Sequence, residues 1–214
     1  MITSDREFLK CHQRLEDLIE TVRQSEKDGR RVDEVERELF GELLQLGFDL
    51  LSAFVRSAGD GDVGETLFLP AREQPSDSSA AGESTAPEPV REGKILRRLP
   101  QCHRRLYRSI FGTLTIERRV YGTREDQKIE AVPLDARLGL PAGEFSYVLE
   151  DWQQRMCLKE SFSEATRGLA DLLGTAPSVR AAEVMNRKMA EFAPSFRRNQ
   201  PAPPANEEGE LVVF

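Results

Sequence analysis

The first quarter of the chain carries apolar residues that recur every three or four positions, as they do on one face of an α-helix. One such pattern covers residues 4–26, with Ser4 as its N-cap, and a broader one covers residues 32–57. Together they predict a helical hairpin over residues 1–58 whose apolar faces pack on each other. The same faces also suit pairing between two copies of the chain, so a homo-oligomer through the N-terminal helices is the alternative.

Two segments have the composition of linkers. Residues 59–92 consist largely of Gly, Ser, Ala, Pro and acidic residues, which build no apolar core, and this segment is predicted to be flexible. Residues 199–214 begin with a Pro-rich stretch and end in the apolar run Leu211–Phe214. That run is typical of the start of a buried strand.

A third pattern begins at residue 93, where β-branched and aromatic residues alternate with arginines on both sides of Phe111-Gly112. Alternation around a central glycine predicts a basic β-hairpin, and residues 94–99 predict a third strand that joins it. The rest of this segment, residues 125–143, is expected to be extended and irregular. One face of the second hairpin strand would carry Leu114, Ile116 and Val120, together with Arg118.

Charge is distributed unevenly along this chain of net charge −7. Between Arg91 and Arg124, ten basic residues stand against two acidic ones, which gives the segment a local charge of +8. A basic ribbon of this kind is suited to a phosphate backbone or a nucleic-acid groove. The alternative is a solvated hairpin whose arginines pair with the acidic helices. The candidate DNA-contacting residues of the hairpin are Arg104, Arg105, Arg108, Arg118 and Arg119.

Residues 144–198 read as helical, and they contain a short helix, a turn and a second capped helix in succession. Ser161 and Glu164 predict a capping box, Gly174 predicts the end of the short helix, and Ser178 predicts the cap of the next one. This is the layout of a helix-turn-helix, although a plain helical hairpin has the same apolar pattern. The apolar face of the second helix would comprise Val179, Ala182, Met185, Met189 and Phe192.

The opposite side of that second helix carries side chains of the types that contact base edges and phosphates. These candidate DNA-binding residues are Arg180, Asn186, Arg187 and Lys188. Pro194 is expected to end this second helix. Trp152 lies on the helix that precedes the predicted helix-turn-helix and is predicted to lie in the core. The patterns together predict a mainly α fold with a small β-hairpin or meander, an α+β protein with a C-terminal helix-turn-helix.

Little in the sequence points to catalysis. The three cysteines, Cys11, Cys102 and Cys157, form no Cys-x-x-Cys pair and are expected to be free thiols, and neither a nucleophile motif nor a metal motif accompanies the two histidines. No apolar run reaches the length of a membrane span, and the N-terminus lacks the layout of a signal peptide. We therefore expect a cytoplasmic protein that is not an enzyme and holds no cofactor.

Several phrases of the chain, taken together, resemble the N-terminal region of ISKra-type transposases of bacterial insertion sequences. These phrases lie at 111–125, 129–141 and 185–187 and, after the Pro-rich stretch, at 209–213. In that family the strand that matches Leu211–Val213 opens an RNase H-like catalytic domain, whose Asp, Asp and Glu side chains hold Mg²⁺. The resemblance implies a chain that stops before this domain, so the Mg²⁺ would belong to the missing part.

The resemblance further implies that the partner is double-stranded DNA, namely the terminal inverted repeats of the transposon. On this hypothesis the helix-turn-helix reads the sequence while the basic hairpin grips phosphates. The alternative is a helical protein-interaction module, or a non-functional remnant of a transposase gene, whose arginines are only solvated.

Overall fold

A computed structural model describes residues 2–70, 93–123 and 129–201, with side chains from residue 8 onward. Within these ranges the protein is mainly helical with a small amount of antiparallel β-structure, which confirms the predicted α+β class. The chain divides into two compact units, residues 1–146 and residues 147–214. The predicted final strand, Leu211–Phe214, lies outside the described residues, as does most of the Pro-rich linker before it.

The first unit begins with the predicted helical hairpin, formed by α1 (Ile2–Lys27) and α2 (Val32–Ser57). Gly29 lies between the two helices with a φ of 63°, a conformation that glycine adopts without strain. Helix α1 begins before Ser4, so Ser4 lies within the helix and the prediction that it caps the helix is wrong. The reason is that the helix extends one further turn toward the N-terminus.

The contact between the two helices follows a seven-residue spacing. On α1 the buried residues are Cys11, Leu18 and Ser25, and on α2 they include Leu46 and Ala53. Such spacing keeps one seam of each helix against its partner along the whole hairpin. The ion pairs Arg14–Asp49, at 3.2 Å, and Arg30–Glu38, at 2.5 Å, tie the helices together beside this seam.

A three-stranded antiparallel sheet, in the order β1-β2-β5, follows the hairpin. Its strands are β1 (Thr66–Leu69), β2 (Lys94–Arg98) and β5 (Tyr121–Gly122). In the chain, the two strands of the predicted basic hairpin lie between β2 and β5. The prediction of a flexible linker over residues 59–92 is therefore wrong for β1, which pairs with β2 along its whole length. Residues 71–92 lie outside the described part of the chain.

The loop before β1 is fixed by one buried side chain. The Tyr121 hydroxyl accepts a hydrogen bond from the Val63 amide and donates one to the Gly64 carbonyl, both at 2.9 Å. Tyr121 itself is fully buried, so its hydroxyl needs these partners. Tyr121 of β5 thus attaches this loop, which lies more than fifty residues earlier in the chain, to the sheet.

The predicted basic hairpin is present as β3 (His103–Ser109) and β4 (Gly112–Arg118), with Ser109 paired to Gly112 at the turn. The prediction that residues 94–99 add a third strand to it is wrong, because β2 pairs with β1 and β5 instead. On β4 the alternation holds. Leu114 and Ile116 are buried, and Val120, just beyond the strand, is buried as well.

Residues 125–143 were expected to be irregular, but they include a short helix, α3 (Pro133–Leu138). Pro133 occupies the first turn, where the missing amide hydrogen costs nothing, and Gly139 ends the helix in the left-handed region. Leu134 of α3 packs with Ile116 of β4 and Val55 of α2 in one apolar cluster. This cluster joins the helical hairpin, the β-hairpin and α3 within the first unit.

The second unit contains α4 (Tyr147–Cys157), α5 (Phe162–Leu173), α6 (Val179–Ala190) and α7 (Ala193–Asn199). The first three contact one another pairwise. Their shared core is formed by Leu149, Gln153, Ala165, Leu169, Ala182 and Met185. A compact three-helix unit of this kind leaves one side of each helix exposed.

Three details of this unit differ from the expectation. Pro194 does not end α6 but starts α7, in whose first turn a proline is tolerated. Met189, in the last turn of α6, and Phe192, beyond its end, are exposed, because the buried contacts of α6 end at Met185. Trp152 is 38% exposed at the rim of the core and is not enclosed by it.

Two glycines of α2 provide a matched test of how the helix contacts the β-hairpin. A Cβ atom on Gly47 would lie 2.5 Å from Cε1 of Phe111 in the β3–β4 turn, whereas a Cβ on Gly41 meets nothing within 4 Å. We expect Gly41→Ala to raise the free energy of unfolding by about 1 kcal/mol through helix propensity. Gly47→Ala gains the same propensity but must displace Phe111, and we expect it to be about 2 kcal/mol less stable than Gly41→Ala. Urea denaturation followed by circular dichroism measures both.

The variant Phe111→Ala supplies the control. In this background we expect Gly47→Ala to stabilise the protein as much as Gly41→Ala does, because the ring that opposed the methyl group is gone. A Gly47→Ala protein that already gains the full increment with Phe111 in place would contradict the proposed contact.

Candidate nucleic-acid interface

Helix α6 presents an outward face that is built by helical geometry alone. Ala182 and Met185 are buried in the core of the second unit and define the inward side of the helix. Because successive residues are rotated by about 100°, Arg180 and Arg187 lie together on the opposite side. Neither arginine forms an ion pair with any residue that the structure describes. This face therefore offers a ligand two guanidinium groups that form no ion pair, with the exposed carboxylate of Glu183 three residues after Arg180 and four before Arg187.

Two side-chain caps fix where α5 and α6 begin. The Ser161 hydroxyl accepts from the Glu164 amide while the Glu164 carboxylate accepts from the Ser161 amide, which confirms the predicted capping box. The Ser161 hydroxyl also donates to the Glu164 carboxylate at 2.7 Å, and this bond, together with that from the Ser161 amide, holds the pKa of Glu164 below its ordinary value. At α6 the Ser178 hydroxyl accepts from the Ala181 amide at 3.2 Å, as predicted.

The turn between α5 and α6 also follows the predicted design. Gly174 ends α5 with a φ of 67°, a left-handed conformation that suits glycine. Pro177, three residues later, is fully buried and anchors the turn to the core. The order of helix, short glycine-containing turn and capped second helix is thus as predicted, and it is shared by a helix-turn-helix and a plain helical hairpin.

The other two predicted residues of α6 are placed less freely. Asn186 is half-buried, and its side-chain amide donates to the Ala182 carbonyl one turn earlier at 2.9 Å. Lys188 is exposed on the flank of α6, near Glu150 of α4. Burial raises the pKa of Glu150, and the charge of Lys188 opposes this rise. The structure thus separates Arg180 and Arg187, which face outward, from Asn186 and Lys188, which have neighbours in the unit.

One residue of the outward face was missed by sequence reasoning. Val184 lies between Arg180 and Arg187 on α6 and is 40% exposed. An apolar residue within an amphipathic helix is ordinarily assigned to the core. The signal that would have identified it is its position around the helix axis. At about 100° per residue, Val184 lies on the side of the two arginines and away from Ala182 and Met185.

The arginines of the β-hairpin have a different environment. Arg105 and Arg118 converge on the same carboxylate, that of Asp135 in α3, and Arg105 Nη1 lies 2.8 Å from Asp135 Oδ2. Arg105 also donates to the carbonyls of Pro141 and Gly143. The two arginine side chains are only 11% and 16% exposed. They hold α3 and the following loop against the hairpin, so we leave them out of the candidate interface.

The remaining hairpin arginines are paired as well. Arg104 lies 3.0 Å from Glu117 on the neighbouring strand, Arg108 lies 3.3 Å from Glu144, and Arg119 lies 3.1 Å from Asp60. The Arg108 guanidinium also lies over the Phe145 ring, 5.7 Å from its centroid. The high local charge that the sequence suggested is therefore largely compensated within the first unit. Of the five, Arg104 is the most exposed and the one best placed to reach a phosphate.

The comparisons with known proteins add no family to this picture. No family model matches the sequence, and no curated protein or solved structure is significantly similar to it. None of the three cysteines forms a disulfide bond. Over residues 8–70, 93–123 and 129–201, no group of three or more His, Cys, Asp or Glu side chains is arranged to hold a metal ion. No helix in the described part of the chain is long and apolar enough to cross a membrane.

The ion pairs of Asp135 generate a stability prediction. Replacing Asp135 by Asn leaves two mostly buried guanidinium groups without a counter-charge, and we expect a loss of about 3 kcal/mol in the free energy of unfolding. Glu117→Gln, which breaks the exposed pair with Arg104, is the matched control, and its cost should stay below about 0.5 kcal/mol. Denaturation in guanidinium chloride compares the two variants. Equal losses in the free energy of unfolding would refute the role of Asp135 as the counter-charge of the two buried arginines.

A second prediction concerns Glu150, whose pKa is raised by burial. Since the folded state favours the protonated form, the stability linked to this group is fully present below the pKa of the unfolded chain. It is then lost as the pH rises through the folded pKa. Glu150→Gln should therefore be more stable than the wild type at neutral pH, with the difference vanishing below about pH 4. Thermal unfolding across this pH range measures the effect, and a Gln variant that is less stable at neutral pH would contradict it.

Proposed function

We propose that the chain binds double-stranded DNA through the outward face of α6, and that it recognises the terminal inverted repeats of an insertion sequence. On this proposal it is the DNA-recognising N-terminal part of an ISKra-type transposase, works in the cytoplasm and contributes no catalytic residue of its own. The observation that carries the proposal is the pair of capped helices α5 and α6, joined by a short turn, of which α6 exposes Arg180 and Arg187 with no ion pair to any described residue.

The size and chemistry of this face suit a major groove. Seven residues separate Arg180 from Arg187, roughly 10 Å along the helix axis, which is close to the rise of three base pairs. Arginine donates two hydrogen bonds to guanine, and Val184 between the arginines offers an apolar contact to a thymine methyl group. Glu183, which is also exposed on α6, is able to accept a hydrogen bond from a cytosine amino group.

Phosphate contacts would come from basic residues outside this face. Arg197 and Arg198 are exposed on the short helix α7, and Lys188 lies on the flank of α6. In the first unit, Arg104 is the hairpin arginine that remains most accessible. Such contacts fix orientation but read no sequence. Specificity should therefore depend on α6, whereas the basic residues outside it set the salt dependence of binding.

The test is a fluorescence-anisotropy titration of the full chain against two labelled duplexes, one with the terminal inverted repeat of the element that encodes it and one scrambled. We expect tighter binding to the repeat, falling steeply between about 50 and 200 mM salt. Arg187→Ala and Arg180→Ala should each weaken binding to the repeat by about tenfold or more and reduce the preference over the scrambled duplex.

Arg155→Ala is the matched control for these variants. Arg155 is an arginine of the same unit whose side chain is 75% exposed, but it is paired with Asp151 one turn away on α4. Its removal should change the affinity by less than about twofold. No binding to either duplex at low salt would overturn the proposal and favour a helical protein-interaction module or a non-functional remnant. An equal loss for Arg155→Ala and Arg187→Ala would show that α6 is not the reading element.

A further inference from the structure

The helical hairpin of the first unit buries one apolar seam and leaves a second one exposed. The second seam consists of large apolar side chains that are each between 39% and 54% exposed. On α1 they are Leu15, Ile19 and Val22, and on α2 they are Phe40, Leu43, Leu50 and Phe54. We call these seven residues the outer seam.

All seven residues of the outer seam lie on the same side of the hairpin. On α1 they are rotated in one direction from the buried positions Leu18 and Ser25, and on α2 they are rotated in the same sense from Leu46 and Ala53. Because the two helices run antiparallel, equal rotations bring both stripes to one common side. On α1 the stripe recurs after four and three residues, the spacing of helix packing positions. On α2 the steps are three, seven and four, and the intermediate position between Leu43 and Leu50 is Gly47, against which the Phe111 ring lies.

The opposite side of the hairpin supports this placement, because it is polar. A groove between α1 and α2 on that side is lined mainly by Lys10, Gln13, Arg14, Asp17, Thr21, Glu38 and Glu42. Helical spacing places no charged side chain within the outer seam between Leu15 and Val22 or between Phe40 and Phe54. The hairpin is thus amphipathic as a pair, with one solvated side and one apolar side.

We propose that a second copy of this chain covers the outer seam, so that two helical hairpins form a four-helix bundle. The exposed apolar surface of the seven side chains amounts to roughly 600 Å² per chain, and a two-fold pairing would bury roughly 1,200 Å² in total. This is the lower limit of a stable interface before any rim contact is counted. A two-fold arrangement is self-complementary, since the same face serves both partners.

Leucine and phenylalanine at packing positions suit such a bundle, because each side chain inserts between residues of the facing helix. A monomer would instead expose a continuous apolar patch of a size that ordinarily marks an interaction site. The pairing concerns only the first unit and does not depend on DNA binding by α6. Its test is therefore carried out without DNA, and the two proposals fail separately.

Sedimentation equilibrium of the full chain at about 50 µM tests the pairing. We expect the wild-type protein to sediment with twice the mass of one chain. Leu43→Glu and Leu50→Glu each place a carboxylate in the outer seam and should raise the dimer dissociation constant by more than about tenfold. The milder variant Leu43→Ser should shift it in the same direction by a smaller factor. Circular dichroism verifies that each variant keeps the helical content of the wild type.

Leu9→Glu is the matched control. Leu9 is a leucine of the same hairpin that is 62% exposed, but on α1 it lies away from the outer seam. This variant should sediment like the wild type. A wild-type chain that sediments as a single copy overturns the proposal, as does a folded Leu43→Glu variant with undiminished association. An equal loss of association for Leu9→Glu would likewise overturn the assignment of the face.

Discussion

The guanidinium groups of Arg105 and Arg118 lie mostly out of water, and such charges are tolerated only beside a compensating carboxylate. Asp135 provides it. Because the three residues come from β3, β4 and α3, satisfying their charges holds three elements in one arrangement. The apolar cluster of Val55, Ile116 and Leu134 then extends this arrangement to α2. The fold of the first unit depends on this pairing, and the pairing also decides which arginines remain available for a ligand.

An acidic chain binds DNA only where its positive charges are left uncompensated. In the β-hairpin, carboxylates of the same unit neutralise the arginines, so a high local charge in the sequence becomes a weak field at the surface. On α6 the reverse holds, since Arg180 and Arg187 face away from the core and have no acidic partner in the described residues. For the proposed function, position in the fold would thus matter more than the number of basic residues.

The same contrast explains what the sequence was able to predict. The caps Ser161 and Ser178 and the stop at Gly174 depend on contacts within four residues, and all three were predicted correctly. The pairing of Arg105 with Asp135 joins residues 30 positions apart, and nothing in the local pattern indicates it. Strand β1 was likewise missed, because its partner β2 lies beyond a segment of linker composition. Local caps leave a signal in the sequence, although the helix did not use the one at Ser4, whereas the tertiary partners of Arg105 and β1 leave none.

Under the proposed function, pairing through the outer seam would also change how α6 meets DNA. A single reading helix makes few base contacts, and a dimer carries two copies of α6 on one assembly. Once one copy binds, the second experiences a raised effective concentration of neighbouring DNA, so the overall affinity exceeds that of either copy without any new contact. The terminal repeats of a transposon occur in two copies as well. The outer seam, which is far in sequence from α6, would thereby raise the affinity for DNA only by linking two copies of α6 in one assembly.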